Sequence, residues 1–238
     1  MTSKADDMQT HLHTCTPAHL HIWTLPIALS LMRLETGLVP NDFSHSIRAE
    51  WSIHMTPTDP VVTPSGHTPE GGVLVGDANA RHEMILYEDP QCPFCRQFEE
   101  LNGPVLSAAV GAGSLAVEYR MRCFLGKESV RADNALALAA EAGRFDPLRQ
   151  ALFAAQPPEG TGGFTIEDLL RIGADTGLTG SDYTAGVREA RYQTWVLRRE
   201  DLYQRKDPQG TRAAWLDGDP LDPNVLFDAR LLAGRIRT

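Results

Sequence analysis

The sequence predicts an α/β fold interrupted by a helical subdomain, and three patterns carry that expectation. An apolar run, Met84 to Tyr87, leads through Asp89-Pro90 into Cys92-Pro93-Phe94-Cys95, and from there the apolar spacing turns helical. Leu115, Val117, Tyr119 and Met121 alternate with Glu118 and Arg120, as in a half-buried strand. Between Ser129 and Lys206 helical patterns follow one another without a strand, and strand character returns only after Gly210.

The 238 residues suffice for one domain with an insertion or for two small domains. A net charge of −9 gives no sign of nucleic acid or an anionic membrane surface as partner. Four cysteines are too few for a disulfide-built scaffold. Residues 1–54 differ from the rest: they hold His11, His13, His19, His21, His45 and His54, leaving only His67 and His82 beyond. Their apolar run, Ile22 to Met32, is broken by Pro26 and is too short to span a membrane. It is not followed by an Ala-x-Ala cleavage pattern, and Lys4 is outweighed by Asp6 and Asp7, so an export signal is not expected. The cluster His11, His13, Cys15, His19 and His21 has metal-ligand chemistry but no evident framework, and no metal site is expected. Residues 1–54 are read as a poorly structured extension, with Met55 as a natural start.

Residues 55–72 form a Pro/Gly-rich linker or arm, with Pro57, Pro60, Pro64 and Pro69. The main domain is expected over 73–238, with the helical insertion at about 128–206. Val73 to Val75 is a short strand ended by Gly76-Asp77. The helix after Cys95 keeps Phe98 and Leu101 on one face and is expected to kink or stop at Asn102-Gly103-Pro104. Cys123, at the end of the alternating strand, reads as a small buried hydrophobe, with a third redox thiol as the alternative. Helices are expected over Ser129 to Gly143 and Arg144 to Gln156. Thr165 and Asp168 form a capping-box start for the next. One long helix is expected over Ser181 to Lys206. Its arginines (Arg188, Arg191, Arg198, Arg199, Arg205) alternate with Glu189, Glu200 and Asp201, as on a solvated mixed-charge face. Gly210 to Leu216 is a strand, Asp217-Gly218 a hairpin turn, and Asn224 to Arg237 a terminal amphipathic helix.

The chemistry is concentrated at Cys92 and Cys95. A cysteine at a helix N-terminus faces unpaired backbone N–H groups and the positive end of the helix dipole. Both favour thiolate, the attacking species in thiol–disulfide exchange. A second cysteine one turn on is within disulfide reach. Cys92 is therefore the expected nucleophile and Cys95 the less exposed resolving thiol. Pro93 suits a first helical turn, and Phe94 is an exposed aromatic suited to gripping an apolar substrate. Arg96 favours the thiolate while Glu88 and Asp89 oppose it, a conflict of signs the sequence does not resolve. The rival readings are half of a zinc site or two inert thiols. Zinc needs two further ligands, and no histidine follows Tyr87.

With these residues in view, the chain resembles the DsbA-like branch of the thioredoxin superfamily over roughly Val73 to Thr238. The marks are Tyr87 to Phe98 with its Cys-Pro-Phe-Cys, Gly160-Thr161-Gly162-Gly163-Phe164 in the insertion, and Gly210-Thr211 entering a strand that ends in Asp217-Gly218. The resemblance implies a thioredoxin-like fold, a mixed central sheet flanked by helices. It implies cofactor-free exchange through Cys92 and Cys95 with a protein or small-thiol substrate and a recycling redox partner. Family members often act outside the cytoplasm as oxidants. The missing export signal makes cytoplasmic disulfide reduction the expectation here, with an exported or periplasmic oxidant as the alternative. One position departs from the family pattern. Where a cis-proline normally follows Gly210-Thr211, this chain has Arg212. A cis bond before a non-proline residue costs about 2.5–4 kcal/mol, so a trans bond is expected. Thr211 and Arg212 are candidate substrate-binding residues; Arg212 either brings a cation to Cys92 or points to solvent. The competing function is a thioredoxin-fold binding or scaffold module that has lost redox activity.

Overall fold

The computed structural model describes residues 61–206 and 213–237. The histidine-rich N-terminal stretch, Thr211 and Arg212 lie outside them. Five strands form one mixed sheet: β1 (Val73–Val75), β2 (His82–Glu88), β3 (Leu115–Met121), β4 (Ala214–Leu216) and β5 (Asp219–Pro220), in the order β1-β3-β2-β4-β5. Only β2 and β3 run parallel, with Met84 opposite Val117 and Leu86 opposite Tyr119. A parallel pair requires a crossover, here α1 (Pro93–Gly111). β1 adds antiparallel to β3, and β4 antiparallel to β2. The turn joining β4 to β5 has both central residues at positive φ, Asp217 at 54° and Gly218 at 88°, the backbone that a two-residue hairpin of matching twist demands.

The period of two fixes what each sheet face carries. Met84, Leu86, Val117, Tyr119 and Met121 are buried on one face. Glu88 follows in phase, so it points into the same apolar layer. The opposite face of β3, expected to meet water, is covered as well. Glu118 and Arg122 are buried, and Arg122 donates from Nη2 to Glu200 at 2.8 Å.

Contrary to expectation, α1 continues through Asn102-Gly103-Pro104. Pro104 cannot donate to the carbonyl one turn back, a loss of about 3 kcal/mol or more in a bare helix. Tertiary contacts hold the stretch helical. Buried Asn102 donates Nδ2–H to the Leu226 carbonyl at 2.7 Å. At Gly103 an added Cβ would lie 2.6 Å from the Glu99 carboxylate, so glycine is what lets that side chain lie along the helix.

The insertion is helical throughout: α2 (Lys127–Glu141), α3 (Phe145–Ala154), α4 (Ile166–Asp175), α5 (Ser181–Arg188) and α6 (Gln193–Lys206). The capping box opening α4 forms as expected, with Asp168 N–H donating to Thr165 Oγ1 at 3.1 Å and Thr165 N–H to Asp168 Oδ2 at 3.1 Å. The single helix expected over 181–206 is two. Buried Asn134 of α2 accounts for the break: its Oδ1 accepts from Tyr192 N–H at 2.7 Å and its Nδ2 donates to the Gly186 carbonyl at 3.3 Å. These contacts serve backbone groups that a continuous helix would pair internally. The terminal helix also divides, into α7 (Pro223–Leu226) and α8 (Ala229–Arg237), where Asp228 Oδ1 caps the N–H groups of Arg230 and Leu231 at 2.8 and 3.1 Å. The strand expected from Gly210 is confirmed over Ala214–Leu216.

The mixed-charge face on α6 is also corrected. Arg199 and Glu200 are buried. Arg199 pairs with Asp133 of α2 and donates to the Met121 carbonyl at 3.0 Å. Glu200 receives Arg122 and the Cys123 N–H at 3.0 Å. Alternating signs did not distinguish a solvated row from two buried pairs, because each buried partner lies some 65 to 80 residues away.

Removing one member of such a pair strands a buried charge, at a cost of about 3–5 kcal/mol. Asp133→Ala is therefore expected to lower unfolding free energy by that amount in urea titration. A loss below about 1 kcal/mol would show the pair to be solvent-screened.

Candidate active site

The active-site turn sits where β2 ends and α1 begins. Cys92 is the N-cap of α1, in extended backbone (φ −70°, ψ 117°), and Pro93 occupies the first helical turn. The Cys92 carbonyl accepts from the N–H groups of Cys95 and Arg96, both at 3.1 Å, and the Cys92 N–H donates to the Asp89 carbonyl at 2.9 Å. The expected geometry of the pair is present. Both cysteines are buried, Cys92 at 4% exposure and Cys95 at 3%. The expected difference in exposure is absent, because both cysteines form one buried cluster with Phe153 of α3, against which Leu125 packs. Phe94 is 47% exposed at the site's edge. Cys123 is buried, and burial pushes its thiol well above the ordinary value, which makes it an inert core residue.

The preceding turn is pinned from the insertion. Asp89 is fully buried and accepts from Gln91 N–H at 2.9 Å, Ser129 Oγ–H at 2.5 Å and Leu125 N–H at 3.3 Å. Gln91 donates Nε2–H to the Leu125 carbonyl and to Ser129 Oγ, both at 3.1 Å, and its Oε1 accepts from Gly160 N–H at 3.3 Å. Gln156, just past α3, donates Nε2–H to the carbonyls of Pro90 at 2.7 Å and Cys92 at 3.1 Å.

Beneath the turn lies a buried charge cluster. Arg149 of α3 is surrounded by Glu88 at 3.5 Å, Glu99 at 2.6 Å and Asp146 at 3.4 Å. Its guanidinium also stacks 4.1 Å above the Tyr119 ring. One cation among three carboxylates leaves an excess of negative charge. Burial is the main cause that pushes Glu88 up to about 8, with Glu99 and Asp146 adding to it and Arg149 opposing. Asp89 is also pushed up to about 8 by burial, against its three donors. Burial thus favours the neutral form of both carboxyls, while the three donors on Asp89 favour its charged form. Arg96 reaches outward to Glu100 at 3.4 Å, both side chains substantially exposed.

Glu88 is 1% exposed, and neither carboxyl oxygen has a hydrogen-bond partner, although Arg149 lies within ion-pair distance. It lines a small cavity together with Leu86, Phe94, Cys95, Phe98, Leu226 and Phe227. The space is small and its walls are apolar. Burial is the largest cause raising the Cys95 thiol well above its ordinary value, followed by its contact with Cys92 and by the charge of Glu88. Arg149, Gln156, Ser129, Phe153 and Leu125 were not expected at the site. All come from the stretch after β3, and no local spacing marks them. Glu88 carried a signal, being a charged residue in phase with Met84 and Leu86 on an otherwise apolar strand face. Among the described residues no group of three or more His, Cys, Asp or Glu is placed to hold a metal ion.

A thioredoxin family model matches residues 68–228, most of the chain. The chain belongs to the thioredoxin family. Among solved structures, MdbA, a thiol-disulfide oxidoreductase from Actinomyces oris, is similar at a TM-score of 0.65 and 18% identity, over 78% of this chain and 96% of that one. BdbD from Bacillus subtilis gives 0.63 at 17% identity, over 75% and 97%. DsbA from Mycobacterium tuberculosis gives 0.59 at 20% identity, over 70% and 90%. At these identities the likeness establishes the fold alone, a thioredoxin-like one. No curated protein matches the sequence. Within this thioredoxin-family frame, the helix starting at Cys92 occupies the crossover between the two parallel strands.

Proposed function

We propose that this chain is a thiol–disulfide oxidoreductase working through Cys92 and Cys95. The observation that carries this is Cys92 at the N-cap of the crossover helix, with Cys95 one turn on and the two clustered with Phe153. In the reductive direction the Cys92 thiolate attacks one sulfur of a substrate disulfide. The other substrate sulfur leaves as thiolate and takes up a proton, and a Cys92–substrate mixed disulfide remains. Cys95 then gives up its proton and attacks the Cys92 sulfur, releasing the second substrate thiol. One substrate disulfide has become two thiols, and two protein thiols have become one disulfide. Oxidation of a dithiol substrate is the same sequence reversed, and either direction needs a second thiol or disulfide partner to reset the pair.

The resolving step needs an acceptor for the Cys95 proton, because a buried thiol with a raised pKa is a poor nucleophile. Glu88 is the group placed for this. Glu88 and Cys95 both line the small apolar cavity, the Glu88 oxygens have no hydrogen-bond partner, Glu88 acts electrostatically on the Cys95 thiol, and its value of about 8 is near that of a thiol. Pro93 and the exposed Phe94 form the substrate-facing edge, and Thr211 and Arg212 remain candidates for the opposite side. The alternative of a redox-inactive binding module rested on Arg212, and no observation among the described residues favours it.

No helix among the described residues is long and apolar enough to cross a membrane. The resemblance to the DsbA-like branch weighs toward the exported alternative and the oxidant direction over cytoplasmic reduction. The reduction potential of the pair separates them. A value above about −180 mV supports the oxidant, and one near about −270 mV supports the reductant.

Glu88→Gln removes the acceptor while keeping the shape. In stopped-flow decay of a Cys92–glutathione mixed disulfide, the native chain should resolve faster as pH rises through about 8, where Glu88 loses its own proton. The variant should be slower by about a hundredfold and lack that inflection. Equal rates in the two proteins would remove Glu88 from the step.

A further inference from the structure

The segment ahead of β1 is docked along its described length, and one side chain in it is chemically unlike its other contacts. Ser65 donates from N–H and Oγ–H to Glu141 Oε1 of α2 at 3.1 and 3.3 Å. Thr68 Oγ1–H donates to Glu118 of β3 at 2.6 Å. The carbonyls of Glu70 and Gly71 accept from Tyr203 Oη–H at 2.9 Å and Arg199 Nη1–H at 3.2 Å on α6. Gly71 has φ of +85°, and an added Cβ would lie 2.7 Å from the Arg199 side chain, so the backbone approaches α6 as closely as the chain allows. Between these contacts the His67 ring meets the Trp195 ring of α6 edge-on, centroids 4.7 Å apart, with Nδ1 on the Ser65 carbonyl at 3.0 Å.

We propose that residues 61–72 are an acid-released latch, with His67 as the pin that holds the arm against Trp195. The geometry makes the pin sensitive to charge. The Trp195 ring already carries the Arg199 guanidinium 4.4 Å from its centroid. A proton on His67 therefore places a second cation at the same ring, beside a buried arginine whose counter-ion, Asp133, is already engaged. Glu141 of α2 is the carboxylate that opposes this, and it is shared with Ser65 and Tyr192. Burial, with Arg199 adding to it, lowers His67 to about 4 in the docked arm, against the Ser65 carbonyl and Glu141. The docked arm thus holds neutral histidine. Docking is at full strength above the ordinary histidine value, about 6.5, and is lost progressively as pH falls toward the docked value. Release removes the arm's contacts with Glu118, Arg199, Tyr203 and Trp195. The neighbouring contacts are backbone and hydroxyl groups or carboxylates, and His67 is the only histidine in the arm.

Hydrogen exchange of the 61–72 amides in the full chain tests the latch, corrected for the intrinsic pH dependence of exchange. The native opening constant should rise by about thirtyfold between about pH 7.5 and pH 5. His67→Phe, which keeps a ring against Trp195 but cannot titrate, should show no such rise, whatever its absolute exchange rate. His67→Lys, a fixed cation, should be open already at neutral pH. A His67→Phe ratio equal to the native one, or a His67→Lys arm as protected as the native arm at neutral pH, would overturn the proposal.

Discussion

The structure depends on the parallel pairing of β2 with β3. Parallel strands cannot be joined by a tight turn, so the chain must cross over, and α1 is that crossover. The start of the crossover helix then falls at the end of β2, and the sequence places Cys92 at that position. The position of Cys92 at a helix N-terminus is therefore a consequence of topology. The Cys92 carbonyl accepting from Cys95 and Arg96 is the start of the helix itself, so the spacing of the two sulfurs and the start of α1 are one arrangement.

The insertion supplies much of what surrounds that position. From the stretch after β3 come Phe153 and Leu125 around the cysteine pair, Gln156 on the turn carbonyls, and Arg149 beneath. Without Arg149, the Glu88, Glu99 and Asp146 carboxylates would face one another in low dielectric. With it, their repulsion is partly offset, while burial still pushes Glu88, which lines the small cavity beside Cys95, up to about 8. A helical insertion far away in sequence thereby supplies the cation that offsets, in part, the burial of Glu88 beside the cysteine pair.

What was legible in the sequence follows from how local each signal is. The strand–Cys-x-x-Cys–helix sequence, the alternation in β3, the capping box at Thr165 and the Asp217-Gly218 hairpin are fixed by neighbours a few residues apart, and all are present. The failures are long-range. Asn134 divides the helix expected over 181–206 from 50 to 60 residues away. Asn102 and Leu226 keep α1 helical through Pro104. Arg199 and Glu200 read as surface charges because their partners are remote. Burial of Cys92 was illegible for the same reason, since Phe153 lies about 60 residues beyond it and nothing local marks its direction. The family resemblance supplied the mixed sheet, which periodicity alone does not give.

The central claim is that Cys92 forms the covalent bond to substrate and Cys95 breaks it. It is tested most directly by incubating Cys95→Ala with a disulfide-containing peptide and mapping the product by mass spectrometry. A peptide disulfide-linked to Cys92, absent from the native chain because Cys95 resolves it, is the result predicted. No adduct, or an adduct at Cys123, would contradict the assignment.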